Sequence, residues 1–318
     1  MFSSDEPLNL DAAGTITDLS PFFGGKLTVH MKRLDLIHPV LGGNKFFKLK
    51  YIIKKIKEEG HPGFITFGGA YSNHIAASAL TAKLAGLKST GIIRGENHDQ
   101  LNPTLSFAEK CGMKLVYISR SDYKQRYSEK YQDNISKEFD NLPVIPEGGS
   151  NILGVKGASE ILNNNDFNYD YYTVPAGSGG TATGLAISLP VKKKLIVYQV
   201  LKAKDIITEK IELFCSEMNL QSVENYEINT GYHLGGFGKL SSELIEFIRS
   251  FEQQTGVLVD PVYNGKMLYG LFDLIKSGYF PESSKILVIN TGGGQGWYGF
   301  IQKASKNYLS NINSLLLN

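Results

Sequence analysis

Two lysines, Lys45 and Lys48, stand three residues apart directly behind a Gly42-Gly43-Asn44 turn, where the following residues read as a helix. A helix start carries partial positive charge and favours acidic residues, so two cations there oppose the local field. Lys50, Lys54, Lys55 and Lys57 follow, which leaves a plain solvated basic face as the alternative. A second group lies in V-P-A-G-S-G-G-T-A-T-G, from Val174 to Gly184. Its glycines let the amides of Gly177, Ser178, Gly179, Gly180 and Thr181 ring a phosphate at a helix N-terminus, or else make only a tight strand-to-helix turn. The G-x-G-x-x-A spacing at Gly177, Gly179 and Ala182 also fits a loose dinucleotide fingerprint, while a Walker-type loop is excluded because no Gly-Lys-Ser/Thr follows. Ser72, Asn73 and His74, in G-G-A-Y-S-N-H, suit a carboxylate or the polar edge of a cofactor, or an N-cap alone. Thr291, exposed among glycines in I-N-T-G-G-G, offers a hydroxyl to a heterocyclic nitrogen, and Tyr263 and Lys266 fall in a turn and the helix after it.

The elements that must position these groups repeat one pattern: a β-rich run, a Gly-rich turn, then a helical stretch of small residues. Residues 63–86, 169–190 and 285–306 each follow it, and the stretches at 86–95, 112–119 and 194–200 read as further parallel strands. This predicts an α/β fold with parallel-sheet-rich open domains. Ligands in such folds sit where the carboxyl ends of strands meet helix N-termini, so the three Gly-rich turns are candidates for one shared site. The stretch from Ser121 to Leu142 reads as an exposed helix and loop. No fixed-period repeat or low-complexity linker separates the lobes.

A chain of 318 residues can bury roughly three quarters of its unfolded surface, enough for two lobes. Hydrophobic residues make up 42% and charged residues 20%, which excludes disorder over most of the length. With a net charge of +2 and no basic block, no nucleic acid or anionic membrane partner is expected; a small uncharged or zwitterionic one is. Cys111 and Cys215 are too few for a disulfide framework, and the six histidines show no metal-ligand spacing. The N-terminal stretch has no basic n-region before an apolar run, and no segment approaches a membrane span, so a cytoplasmic address is expected.

In order, G-G-N-K-F-F-K-L-K-Y, G-G-A-Y-S-N-H, P-E-G-G-S-N-I-L-G-V-K-G, V-P-A-G-S-G-G-T-A-T-G-L, D-P-V-Y-N-G-K and N-T-G-G-G resemble the D-cysteine desulfhydrase and 1-aminocyclopropane-1-carboxylate (ACC) deaminase family. These are pyridoxal 5'-phosphate enzymes of the tryptophan synthase β-like fold type II, and the resemblance runs from about Gly42 to Gly294. It implies a large cofactor domain from residues 1–46 plus 150–318, a small α/β domain at 47–149, the cofactor in the cleft between them, and a homodimer. Lys45 matches the family's Schiff-base lysine, and Lys48 the lysine that reaches the phosphate with the amides of Gly177 to Thr181. By the same resemblance Asn73 contacts the cofactor's phenolic oxygen and Thr291 serves its ring nitrogen. Ser72, Asn73, His74 and Tyr263 serve a small amino-acid substrate, with Lys45, Ser72 and Tyr263 catalytic.

Family members that open the ACC ring place Glu after the motif tyrosine and Leu before the last Gly-Gly; here Asn264 and Thr291 occupy those positions. A carboxylate keeps the pyridine nitrogen protonated and the ring a strong electron sink, whereas a hydroxyl leaves it largely neutral. ACC has no α-proton to lose, so its opening demands the stronger sink; β-elimination from D-cysteine starts with an α-proton and demands less. The expected activity is therefore a carbon-sulfur lyase giving pyruvate, ammonia and hydrogen sulfide. Three departures bear on it: Phe237 where a tyrosine is common, Phe47 for an arginine, and Ile75-Ala76 for a continuation containing arginine. The competing readings are ACC deamination, a pyridoxal-phosphate-binding protein with weak catalysis, and a nicotinamide oxidoreductase using the 177–184 loop with Asp205 on a ribose.

Overall fold

The computed structural model describes residues 9–96, 101–236 and 238–301. Ten strands are formed, β1 (Ile16–Asp18), β2 (Thr28–Arg33), β3 (Gly63–Gly68), β4 (Lys88–Arg94), β5 (Met113–Ile118), β6 (Val144–Ile145), β7 (Tyr171–Ala176), β8 (Lys194–Gln199), β9 (Tyr226–Asn229) and β10 (Lys285–Asn290), all among the described residues. The α-helices are α1 (Asn44–Glu58), α2 (Asn73–Ala85), α3 (Pro103–Lys110), α4 (Arg120–Tyr123), α5 (Glu129–Glu138), α6 (Ile152–Ala158), α7 (Gly180–Ser188), α8 (Ile207–Glu217), α9 (Ser242–Thr255), α10 (Asn264–Lys276) and α11 (Gly296–Ile301).

The strands make two sheets: a six-stranded one in the order β1-β2-β10-β7-β8-β9 and a four-stranded one in the order β5-β4-β3-β6. Every pairing is parallel except β1 with β2. The α/β expectation holds, and the four-stranded sheet draws all its strands from within residues 63–145.

Both sheets are covered on both faces, which is why their strands read as continuous apolar runs. In the large sheet Ile286 and Val288 enter one core with Ile196 and Tyr198, beneath α9 and α10. The alternate residues Leu287 and Ile289 enter another with Leu195 and Val197, beneath α7 and α8. In the small sheet Phe64 and Ile93 face α1, α2 and α3, while Ile65, Phe67 and Ile92 face Tyr123 and Ile135. The stretch from Ser121 to Leu142 is therefore not simply an exposed helix and loop: Tyr123 and Ile135 are buried and close one face of that sheet.

Helix α1 buries Leu49, Ile52, Ile53 and Ile56 on one face, the 3.6-residue period made visible. Phe47 packs into the core beneath α7, and Ile75 and Ala76 are buried against the small sheet. An arginine at 47, or at either 75 or 76, would thus need to bury a guanidinium, so the apolar departures match their surroundings. Among the described residues no helix is long and apolar enough to cross a membrane.

Candidate active site

The carboxyl ends of β3, β7 and β10 converge on a cavity of about 430 Å³, so the three Gly-rich turns share one site. Lys45 reaches it from the first turn of α1. The chain enters that turn through Gly43, at φ +73°, where a Cβ would lie 1.9 Å from the Thr291 carbonyl oxygen. The amide of Asn44 donates to that carbonyl, tying α1 to the end of β10.

Lys45 Nζ donates to Asn44 Oδ1 at 2.8 Å, and Asn44 Nδ2 donates to Thr181 Oγ1 at 2.9 Å. Burial brings the amine down from its ordinary range to about 8, with the Asp260 carboxylate pulling in the opposite sense. A substantial neutral fraction near neutral pH suits it to nucleophilic and proton-transfer work. Lys48 is 1% exposed and donates to Ser150 Oγ at 2.6 Å, which in turn lies 2.6 Å from Ser178 Oγ. Burial first and Lys45 second hold its pKa well below the ordinary value, and no carboxylate lies within ion-pair distance among the described residues.

Gly179, at φ +82°, opens α7 without a side-chain cap, so the first amides of α7 remain for a ligand. Ser72 caps α2, accepting from the Ile75 amide at 3.3 Å. Asn73 follows it at the cavity, and its buried Oδ1 has no hydrogen-bond partner. His74 also lines the wall, but its Nε2 lies 2.8 Å from Thr66 Oγ1 and its Nδ1 3.5 Å from Ser78 Oγ. Burial and the two lysines hold that imidazole well below its ordinary pKa, so the ring is neutral and engaged within the protein.

Tyr263 lines the opposite wall, with Gly177 close enough that a Cβ there would meet its ring at 3.2 Å. Burial, Glu147, Asp260 and Tyr127 all raise its phenol's pKa, keeping it a proton donor. Thr291 also lines the cavity, whereas Asn264 does not. Asn264, at the position where ring-opening family members carry Glu, is 1% exposed and held behind the cavity wall by Asp260. Its Nδ2 donates to Asp260 Oδ2 at 2.6 Å and to the Gly292 carbonyl at 3.1 Å. Its Oδ1 accepts from the Thr291 amide at 3.0 Å and from Thr291 Oγ1 at 3.3 Å.

Sequence reasoning missed Asn44, Ser150 and Asp260. Asp260 organises the whole turn, accepting from the amides of Val262, Tyr263 and Asn264; the D-P-V-Y-N spacing was its signal, an acidic residue ahead of free helix-start amides. Phe237 lies outside the described residues. Asp205 is spent on capping α8, accepting from the amides of Ile207 and Thr208 and the Thr208 hydroxyl, which removes the acid that the nicotinamide reading needs. Among the described residues no cluster of His, Cys, Asp and Glu could hold a metal ion.

The donor set fits pyridoxal 5'-phosphate. A buried lysine with no carboxylate within ion-pair distance among the described residues, and uncapped helix amides, suit an anion at Lys48 and Gly177 to Thr181; an amine with a lowered pKa stands at Lys45, and an orphaned amide end at Asn73. Residues 14–292 match the family model described as pyridoxal-phosphate dependent enzyme. A Pyrococcus horikoshii protein named "Putative 1-aminocyclopropane-1-carboxylate deaminase" is 31% identical over 86% of this chain and 87% of its own. The mitochondrial bifunctional D-cysteine desulfhydrase/1-aminocyclopropane-1-carboxylate deaminase of Arabidopsis thaliana is 31% identical over 84% of this chain and 73% of its own. The crystal structure of an ACC deaminase homologue superposes with a TM-score of 0.79 at 29% identity, covering 91% of this chain and 92% of that one.

Proposed function

The chain belongs to the pyridoxal-phosphate dependent enzymes, within the ACC deaminase and D-cysteine desulfhydrase group, and from that premise we propose that it is a lyase that removes the β-substituent of a small D-amino acid, D-cysteine first. The products would be pyruvate, ammonia and hydrogen sulfide. When bound, pyridoxal phosphate supplies the aldehyde that engages amines and a ring that accepts electron density from the substrate α-carbon.

The residues divide the remaining work. Lys48, Ser150, Ser178 and the first amides of α7 would hold the phosphate. The start of α2, with Ser72, is suited to the substrate carboxylate, as an anion at a helix N-terminus. Lys45 Nζ, with its pKa at about 8, can take the α-proton as the β-substituent leaves, which is worth roughly 10²–10⁴ in rate for a positioned base. Tyr263, kept protonated, can donate a proton or hydrogen bond to the departing group.

One observation carries the choice of D-cysteine over ACC: the cavity wall at the end of β10 offers the Thr291 hydroxyl, while the Asp260 carboxylate on that side is turned into a buried turn. A neutral wall supports elimination that starts from an α-proton over opening of a ring that has none. The second reading is ACC deamination, favoured by the names of the relatives above. The test is the keto acid formed when cofactor-loaded protein meets D-cysteine, L-cysteine or ACC separately. Pyruvate from D-cysteine alone is expected; 2-oxobutyrate from ACC would sink the assignment.

A further inference from the structure

Two anions have partners at this site: a phosphate at the start of α7 beside Lys48, and a substrate carboxylate at the start of α2. The cavity lining holds more charge than these two absorb, in Arg94, Arg126 and Glu147. Glu147 is not a free anion. Its Oε2 accepts from Arg126 Nε at 2.6 Å and from the Tyr127 hydroxyl at 3.0 Å, and its Oε1 from the Tyr123 hydroxyl at 2.7 Å. Arg126 also donates to the Tyr123 carbonyl at 3.0 Å and lies 4.1 Å from the Tyr127 ring centroid. The pair is electrically closed and held by stacking and hydrogen bonds.

Arg94 is different. It is exposed at the carboxyl end of β4, with its guanidinium 5.7 Å over the Tyr123 ring and over the turn between β3 and α2, where a Cβ on Gly69 would lie 3.6 Å from Nη2. No carboxylate lies within ion-pair distance of it among the described residues, whereas Arg126 beside it has Glu147. A third cation, Lys210, has its Nζ 5.5 Å from the Tyr127 centroid. Among the described residues this wall therefore carries more positive than negative charge, beside the place assigned to the substrate carboxylate.

We propose that the Arg94 wall is the subsite for the substrate's side chain, and that it selects a side chain ending in an oxyanion, a carboxylate or a sulfonate, with Arg94 determining the specificity. The inference rests on the reading of the site as one for small amino acids and widens its substrate class to alanines whose β leaving group carries an oxyanion, a sulfonate that would depart as sulfite or a thiolate bearing a carboxylate; with the carboxylate directly on Cβ the amino acid would bind without reacting. A planar guanidinium on an aromatic platform pairs bidentately with such groups, and the Arg126–Glu147 unit fixes the platform.

The test uses D-aspartate and D-asparagine, which are nearly isosteric, differ in one charge and carry no β leaving group, so binding is read independently of elimination. Calorimetric titration of cofactor-loaded protein is expected to show D-aspartate binding on the order of tenfold more tightly than D-asparagine. Arg94→Gln should bring the ratio close to one, and Arg94→Lys should restore part of it. A wild-type ratio near one, or a ratio unchanged in Arg94→Gln, overturns the proposal. So does equal weakening of both ligands, which would put Arg94 on the α-carboxylate. If neither ligand binds, the proposal is overturned, and the keto-acid assay decides separately whether the amino-acid reading stands.

Discussion

Lys32 and Lys48 are each 1% exposed, yet one belongs to the scaffold and the other to the site. Lys32, on β2, meets Asp166 Oδ2 at 2.9 Å, and that carboxylate also accepts from the Asn163 amide. The Asp166 carbonyl takes the Tyr172 hydroxyl at 2.6 Å. Every charge there is answered within the chain. Lys48 has a serine hydroxyl and a second lysine nearby, and its pKa is driven down by both its burial and that neighbour. An ammonium buried there without a counter-charge is costly, which is why the pKa is driven down, and the uncapped start of α7 beside it shows what kind of ligand would let Lys48 carry its charge.

The sharpest way to break the comparison is to remove each charge in turn. Lys32→Met strands a buried Asp166 and should destabilise the apo-protein by about 3–5 kcal/mol. Lys48→Met strands nothing, so it should leave the apo-protein as stable or more stable, by on the order of 1 kcal/mol, while weakening uptake of the cofactor. Urea unfolding of both variants, read against wild type, decides it. Equal destabilisation would mean that Lys48 is structural too.

The same contrast explains what could be read from the sequence. The fold was legible because both sheets are buried on both faces, so strands, turns and small-residue helices stand out at 63–86, 169–190 and 285–306. Lys45 and Lys48 were legible because they violate a local rule, two cations at a helix start, and only a ligand reconciles that violation. Residues that obey their local rules were harder to place. Asn264 stands out only as the residue where ring-opening relatives have Glu, and nothing local shows that Asp260, four positions earlier, turns its amide inward. His74 reads as a polar group at a helix N-terminus, yet its ring is claimed by Thr66 from β3 and by Ser78 one turn on. Ser150 lies 102 residues from Lys48, and no local pattern announces that pairing.

The depressed lysines also make stability depend on pH in a definite sense. Lys45 and Lys266 both titrate at about 8 in the folded protein against 10.5 ordinarily. Below about 8 each is protonated in both states, and its burial penalty is fully present. Between 8 and 10.5 the folded protein has released protons that the unfolded chain still binds, so stability rises with pH. The full slope is about 1.4 kcal/mol per pH unit for each lysine. The rise should be read below pH 10, since burial raises Tyr123 and Tyr263 and their effect runs the other way above it. His74, held well below 6.5, contributes its own rise at lower pH. Urea midpoints of the apo-protein from pH 8 to 10 should climb, and Lys45→Met should remove part of that climb, with Lys48 and Lys266 supplying the rest. A flat profile would mean that the buried amines are not depressed.

The finest cut is made within one helix. Gly180 and Gly184 both lie in α7, one turn apart, with neither backbone strained. A Cβ at Gly184 would press on α6, 2.6 Å from the Ala158 Cβ and 2.7 Å from its carbonyl carbon, atoms that cannot rotate away. Gly184→Ala should therefore cost stability, by about 1–3 kcal/mol as overpacking does. A Cβ at Gly180 would meet Ser150 Oγ at 3.0 Å and Lys48 Nζ at 3.1 Å, the ends of side chains that can move. Gly180→Ala should leave stability near wild type, because alanine's better helix propensity offsets the crowding. What it displaces is the ammonium and hydroxyl assigned to the phosphate, so cofactor affinity, read by titration of the cofactor's absorption, should fall on the order of tenfold, as for a lost charge-assisted hydrogen bond. If instead Gly180→Ala unfolds the protein and binds cofactor normally, the start of α7 is packing and the anion belongs elsewhere.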